Sequence, residues 1–342
     1  MNRLFHIDLA RVIAIFLVTA YHLSRAFPVD AQVGSFDLYG VFRHGYIGVD
    51  VFFVISGYVM ALTWERQAGN FASGSRSFLR SRLLRLMPAY VIAIVFWVTV
   101  IVSTGYAQKP VGLFHILSHL TFTHTLFPSS FFSVSGVMWS LAVEVHFYLL
   151  FPLLASLTWR QRFWVLGFCA LVSLGVTVVV PESHWLMYPL RWNVVTFLPL
   201  FMLGVFIYER HDENGRDLTW LFWPLIAGSV AVMLLVKPFD TNVFARLLLG
   251  GALGFALVAT SPFRSGELGL GKAISLVAAA SYSIYLYNYV MLFLVDRVFG
   301  VAAMLVGMVF IFAFGVGMWW LFDRNFEKVR HRYKARLLRR LA

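Results

Sequence analysis

Ionisable side chains inside apolar segments are the first feature of this sequence that could do chemistry. The apolar segment nearest the N-terminus contains Asp8, Arg11 and His22. At about 100° per residue, eleven steps return a helix to within about 20° of the starting face, so Arg11 and His22 share a face about 16 Å apart. Asp8 joins that face, three residues before Arg11. We interpret the stripe as functional. The alternative is that Arg11 pairs with Asp8 while His22 bonds a neighbouring helix.

Two carboxylates occupy a similar depth in other apolar segments. Asp50 lies a few residues into the second segment, and Glu144 lies about two turns into the fourth. A carboxylate beside an imidazole can hold it in one tautomer and stabilise its protonated form. Asp50 or Glu144 could therefore orient His22, although Asp50 could instead cap the start of its helix. A shared depth does not establish that the three side chains meet.

A cluster of arginines lies at the opposite end of the third segment. Arg82 and Arg85 are three residues apart, and Arg76 and Arg80 are four apart, so each pair shares a helix face. Paired guanidinium groups can grip phosphates bidentately. The pattern fits a phosphate site, and it also fits simple anchoring at a membrane surface.

A histidine-rich segment invites a metal interpretation. His115 and His119 have a spacing that can chelate zinc. Neither Cys nor Glu lies between them, and the segment is rich in aromatic residues. We therefore predict no metal site.

The composition indicates that these side chains are positioned by membrane helices. Hydrophobic residues make up 60% of the 342 and charged residues only 13%, against roughly 25% charged in soluble domains. Apolar runs of about 20 residues recur, and in lipid such runs must be helices. We predict an all-α, polytopic bundle of about ten spans. They cover residues 7–27, 46–65, 86–105, 138–157, 162–180, 190–208, 219–236, 243–260, 275–296 and 299–322. The apolar stretch 114–127 is too short to be a span and is predicted to be interfacial or re-entrant.

The distribution of positive charge orients the chain. With the N-terminus in the cytoplasm, 20 Lys and Arg residues fall on the cytoplasmic side and 7 on the other, Arg246 among the latter. This bias predicts that both termini are cytoplasmic. It divides the chain into a membrane domain (1–325) and a basic tail (326–342). Topology and anionic lipid headgroups explain the net charge of +12, so we expect no nucleic-acid partner.

These motifs, in this order, resemble the acyltransferase-3 family of integral membrane acyltransferases. The resemblance runs from residue 7 to about residue 290. Its blocks are Asp8, Arg11 and His22; residues 48–57 with Asp50, Ser56 and Gly57; Arg82 and Arg85 ahead of Pro88; Trp139, Ser140, Glu144, Tyr148 and Pro152; and residues 281–286.

The resemblance implies an O-acyltransferase in a bacterial inner membrane. It would move an acyl group, which we expect to be acetyl, from cytoplasmic acyl-coenzyme A to a hydroxyl of an extracytoplasmic or lipid-linked glycan. Its implied site has four parts. The donor phosphates would bind Arg11, Arg82 and Arg85. His22 would act as general base, oriented by Asp50 or Glu144. The acceptor pocket would be lined by Trp139, Ser140 and Tyr148, and structural support would come from Asp8, Ser56 and Gly57.

The chain also departs from the family pattern. The late block commonly ends in His, where this chain has Asn288, which cannot shuttle a proton near neutral pH. Asp323, Arg324 and Asn325 stand in place of a Glu-Arg-Pro element. Some relatives append an extracytoplasmic esterase-like domain. We expect a stand-alone form here, which acts alone or hands the acyl group to a separate extracytoplasmic protein.

Other functions remain open from the residues alone. In a rival enzyme mechanism, His22 itself is acylated before the group is passed outward. A transporter or exporter would also place charges between helices at mid-depth, although no inverted repeat is visible in this sequence. A purely structural partner protein would tolerate loss of the charged residues.

Overall fold

The computed structural model describes residues 4–27, 32–33, 36–37, 39–65, 71–105, 111–213, 218–262, 270–294 and 301–326. These ranges form thirteen α-helices. They are α1 (Phe5–Ala26), α2 (Gly40–Arg43), α3 (Ile47–Glu65), α4 (Phe71–Thr104), α5 (Leu113–Leu120), α6 (Trp139–Ser156), α7 (Trp159–Val179), α8 (Met187–Arg191), α9 (Val194–Glu213), α10 (Phe222–Leu235), α11 (Val243–Ala259), α12 (Gly271–Leu286) and α13 (Val301–Met318). Shorter 3₁₀ turns cover His124–Leu126, Thr219–Leu221 and Asn288–Leu294, and a π-helical turn covers Trp319–Asp323.

The predicted all-helical class is confirmed. Extended pairing within the described ranges is limited to two antiparallel two-residue strands, β1 (Gln32–Val33) and β2 (Phe36–Asp37). Seven helices of the described part are long and apolar enough to cross a membrane, and two more apolar helices are shorter. Helical residues coincide with each of the ten predicted spans. The number of crossings and the cytoplasmic position of both termini stay predictions.

Helix α3 lies at the centre of the bundle, where glycines allow close packing. An ideal Cβ on Gly57 would lie 1.8 Å from the carbonyl oxygen of Phe201 in α9. Conversely, a Cβ on Gly204 of α9 would lie 1.9 Å from the carbonyl oxygen of Val54 in α3. Small residues at such crossings let two backbones approach within a membrane. Gly57 therefore lies where the two backbones pack closely, and its supporting role in the site stays a prediction.

Helix α4 begins earlier than predicted. The predicted span starts at residue 86, whereas the helix runs without interruption from Phe71 through Pro88 to Thr104. Its 34 residues extend over about 51 Å, longer than a hydrocarbon core of about 30 Å. The arginine cluster thus lies on the same rigid helix as the apolar span. Helix α5, by contrast, has only 8 residues, consistent with the prediction that its segment does not span.

The predicted basic tail lies outside the described residues, apart from Phe326. Its separation from the membrane domain stays a prediction.

Candidate active site

A cavity of about 110 Å³ lies where α1, α3, α4, α6 and α12 meet. Its wall includes seven of the predicted site residues: Arg11, Ser56, Arg82, Arg85, Ser140, Glu144 and Tyr148. Three other polar residues on the wall come from α12, namely Ser281, Tyr282 and Tyr285. The fold therefore assembles one polar site from helices that are far apart along the chain.

Three guanidinium groups dominate the charge of this cavity. Arg82 is 7% exposed, and its Nη2 donates to the carbonyl oxygen of Val59 at 3.0 Å and to the hydroxyl of Thr63. Among the described residues, neither Arg11 nor Arg85 forms an ion pair or a hydrogen bond. Asp8, the alternative partner for Arg11, instead accepts a hydrogen bond from Ser275 Oγ at 3.4 Å. With Glu144 as the one carboxylate on the described wall, the cavity carries an excess of positive charge that suits phosphates.

Glu144 is held on the cavity wall by two hydroxyl groups. Ser56 Oγ and Tyr148 Oη each donate to Glu144 Oε1 at 2.7 Å. Within the described ranges, no protein donor reaches Oε2. The carboxylate is thus fixed in orientation, with one oxygen available to a ligand in the cavity.

Helix α12 supplies the polar wall residues that were not among the predicted site residues. Tyr285 Oη lies 2.5 Å from Ser140 Oγ and donates to the carbonyl oxygen of Val137 at 2.8 Å. Tyr282 Oη donates to the carbonyl oxygen of Leu86 at 3.1 Å. The signal in the sequence is the four-residue spacing of Ser281 and Tyr285, which places both on one face of α12. Asn288 begins the 3₁₀ turn that follows this helix.

His22 lies outside the described cavity wall, and Asn288 holds its ring. Asn288 is fully buried, and its Nδ2 donates to Thr19 Oγ1 at 2.8 Å. Its Oδ1 lies 2.8 Å from His22 Nδ1. Since that oxygen can only accept, Nδ1 carries the proton in the neutral ring, and Nε2 keeps a lone pair. No described residue hydrogen-bonds to Nε2, so the imidazole is oriented to act as a base there.

Asn288 and not a carboxylate therefore occupies the position expected of Asp50 or Glu144 beside His22. Both oxygens of Asp50 instead accept hydrogen bonds from Arg246 of α11, Oδ1 from Nη2 at 2.7 Å and Oδ2 from Nε at 3.2 Å. Asp50 is 0% and Arg246 1% exposed. The close approach depends on Gly250, because an ideal Cβ there would lie 2.4 Å from Asp50 Cβ. Asp50 is thus the partner of a buried cation rather than a helix cap.

Arg246 was counted among the seven positive charges of the outer side without a role in the site. The structure shows it within α11, fully buried. The signal in the sequence was a single ionisable residue inside an apolar run. The same side chain explains where Trp139 lies, because the Arg246 guanidinium carbon is 5.8 Å from the Trp139 ring centroid. Trp139 thus packs against the Arg246 guanidinium group behind the cavity, whereas Ser140 and Tyr148 lie on the cavity wall.

Two helices connect the arginine end of the cavity with His22. On α1, Arg11 and His22 are separated by about 16 Å along the axis. On α12 and the turn that follows, Tyr285 lines the cavity, Asn288 bonds His22, and the Tyr289 ring centroid lies 4.8 Å from that of His22. His22 therefore lies beyond the described wall of the cavity, about 16 Å from Arg11 along α1.

Comparison with known proteins shows the family to which the chain is similar. The family described as an acyltransferase domain, acyltransferase-3, matches residues 5–324. The exopolysaccharide production protein ExoZ of Rhizobium meliloti is 30% identical over 254 residues, which cover 72% of this chain and 76% of that protein. The peptidoglycan O-acetyltransferase OatA of Listeria monocytogenes is 26% identical over 335 residues, 83% of this chain and 48% of that protein. The O-acetyltransferase OatA of Staphylococcus aureus is 25% identical over 242 residues, 65% of this chain and 36% of that protein.

The chain thus spans about three quarters of ExoZ and half or less of the two OatA proteins. No solved structure matches it significantly. With nearly the whole chain matched and several apolar helices of membrane-spanning length, the protein is a multi-pass membrane acyltransferase and belongs to the acyltransferase-3 family.

Proposed function

We propose that this acyltransferase moves an acetyl group from cytoplasmic acetyl-coenzyme A to a hydroxyl of an extracytoplasmic or lipid-linked glycan, in a bacterial inner membrane. The observation that carries the proposal is the cavity that brings together Arg11, Arg82 and Arg85, with the oriented imidazole of His22 about 16 Å from Arg11 along α1. The relatives support the acetyl group and the glycan, since two are named O-acetyltransferases and one an exopolysaccharide production protein.

At the donor end, the three guanidinium groups would bind the phosphates of coenzyme A. Two of them, on Arg11 and Arg85, are without hydrogen-bond partners among the described residues, so they are available to a ligand. The positive-inside bias predicts that this end faces the cytoplasm, where acyl-coenzyme A is found. The pantetheine arm would then run between α1 and α12 towards His22.

At the acceptor end, His22 would act as general base. Nε2 removes the proton from the acceptor hydroxyl, and the oxygen attacks the thioester carbonyl carbon. The carbon–sulfur bond breaks, and the coenzyme A thiolate takes up the proton that His22 holds. Asn288 keeps Nδ1 protonated throughout. Ser140, Glu144 and Tyr148 would contact the bound acceptor on the cavity wall. The ester product is either the finished glycan or a group that a separate extracytoplasmic protein carries further.

The experiment that tests this function compares the surface glycans of a host with and without the gene by mass spectrometry. We expect acetyl esters on the glycans of the host that has the gene, their loss on deletion, and their return with the wild-type gene but not with His22→Ala. Identical glycans in all strains would overturn the proposed acceptor. Full acetylation by His22→Ala, at equal protein level, would overturn the general-base role.

A further inference from the structure

The Asp50–Arg246 ion pair is a buried charge pair that the proposed chemistry does not use. It lies behind the cavity, and both side chains are at most 1% exposed. Burying two charges is unfavourable unless their geometry satisfies them, and apolar residues often do as well for stability alone. The contacts of Arg246 indicate what else the pair does.

First, Arg246 holds the start of α6. Its guanidinium carbon lies 5.0 Å from the ring centroid of Phe197, 5.3 Å from that of Trp192 and 5.8 Å from that of Trp139. A cation among aromatic faces is attracted by each of them. Trp139 is the first residue of α6, and the next residue, Ser140, lines the cavity. Arg246 therefore contacts the start of one of the helices that form the cavity wall.

Second, Arg246 contacts the loop between α10 and α11, and that loop bonds Tyr21, the neighbour of His22. Its Nη1 donates to the carbonyl oxygen of Asp240 at 3.3 Å. The carboxylate of Asp240 accepts a hydrogen bond from Tyr21 Oη at 3.0 Å. The Tyr21 ring centroid lies 5.3 Å from that of His22. One guanidinium group thus connects the Asp50 carboxylate, the loop and the side chain next to the base.

We propose that Arg246, neutralised by Asp50, is a positioning residue for the acceptor end of the site. It sets the start of α6 and the Asp240 loop relative to His22, so that an acceptor hydroxyl meets Nε2. The planar fork of arginine donates to two partners while its face packs on aromatic rings, which a neutral side chain does not reproduce. This inference rests on the proposed transfer to a glycan hydroxyl. It predicts an effect on the acceptor and none on the donor.

The test removes both charges together, because removing one leaves the other buried without a partner. The variant is Asp50→Asn with Arg246→Gln, in the full chain purified in detergent. Three quantities are measured: thermal stability, the affinity for acetyl-coenzyme A, and the kinetics of acetyl transfer to surface glycan extracted from a strain that lacks the gene. The matched control is Arg162→Gln with Glu209→Gln, which removes an ion pair of 2.5 Å that does not line this cavity.

We expect the double variant to fold, to bind acetyl-coenzyme A like the wild type, and to show a kcat/KM for the acceptor lowered about tenfold to a hundredfold. The control should keep the wild-type kcat/KM. A folded double variant with wild-type kinetics would show that the pair is only structural and would overturn the proposal, as would an equal loss of donor affinity.

If the double variant does not fold, Arg246→Lys gives the answer, because it keeps the charge but loses the fork. A folded Arg246→Lys with an unchanged kcat/KM for the acceptor would overturn the proposal, and a lowered kcat/KM with unchanged donor affinity would support it. A wild-type protein that binds acetyl-coenzyme A but acetylates no glycan would overturn the proposed acceptor itself, and this inference with it.

Discussion

The hydrogen bond between His22 and Asn288 decides which nitrogen of the imidazole can take a proton. Asn288 is itself held by its bond to Thr19, so its oxygen stays directed at Nδ1. A neutral amide can do this without adding a charge to a buried site. The residue that departs from the family pattern thus orients His22, the proposed base, although it cannot shuttle protons itself.

Asn288→Ala should therefore lower the rate of acetyl transfer about tenfold to a hundredfold, because the ring loses the group that fixes its tautomer and direction. Acetyl-coenzyme A affinity should stay unchanged, since Asn288 lies away from the arginine end. Radiolabelled acetyl transfer and donor binding measure the two effects separately. An Asn288→Ala protein that transfers at the wild-type rate would show that the bond to His22 is unimportant for catalysis.

Arg85→Ala should weaken acetyl-coenzyme A binding, because a charge-assisted contact to phosphate is lost. Such contacts contribute about 1.5–3 kcal/mol, which corresponds to a loss of affinity of roughly tenfold to a hundredfold. Arg76→Ala is the matched control, since Arg76 lies on the same helix α4 but does not line the cavity. Titration calorimetry on the purified protein checks both, and equal losses for the two variants would contradict the phosphate site.

At the scale of helices, the site depends on how closely α3 approaches α9 and α11. Gly57 and Gly250 lie on α3 and α11 at the points of closest contact. Helix α3 also carries Asp50, which bonds Arg246, and Ser56, which bonds Glu144. A small displacement of α3 would change both pairs at once.

Gly57→Ala should destabilise the protein by about 1–3 kcal/mol, as overpacking of an interior does. Its Cβ would lie 1.8 Å from a backbone oxygen, so α3 and α9 must separate. Gly167→Ala is the control, because a Cβ there meets nothing within 4 Å. Thermal melting in detergent measures the difference. Equal melting temperatures for the two variants would mean that α3 and α9 pack less closely than described.

Helical periodicity predicted which side chains share a face of one helix. Which side chains meet between different helices depends on how the helices pack. The shared face of Arg11 and His22, and that of Arg82 and Arg85, follow from residue spacing alone. The partners of Glu144 and Asp50 do not, because Ser56 is 88 and Arg246 is 196 residues away in sequence. A sequence gives the depth of a side chain in the membrane but not its direction relative to other helices. This is why Asp50 was expected beside His22.

At the scale of the whole molecule, the two ends of the site are expected at opposite faces of the membrane. The arginine cluster lies on the N-terminal part of α4, whereas His22 lies near the C-terminal end of α1. The positive charge of the chain, concentrated on one predicted side, fits that orientation. Acyl transfer would then use a donor from one compartment and an acceptor from the other.

Reconstitution in sealed vesicles tests this central claim most directly. The vesicles hold the purified protein and, inside, glycan extracted from a strain that lacks the gene, and acetyl-coenzyme A with a radiolabelled acetyl group is added outside. The account predicts labelled glycan inside the vesicles with wild-type protein and none with His22→Ala. Transfer only when donor and glycan share one side, or equal transfer by His22→Ala, would contradict it.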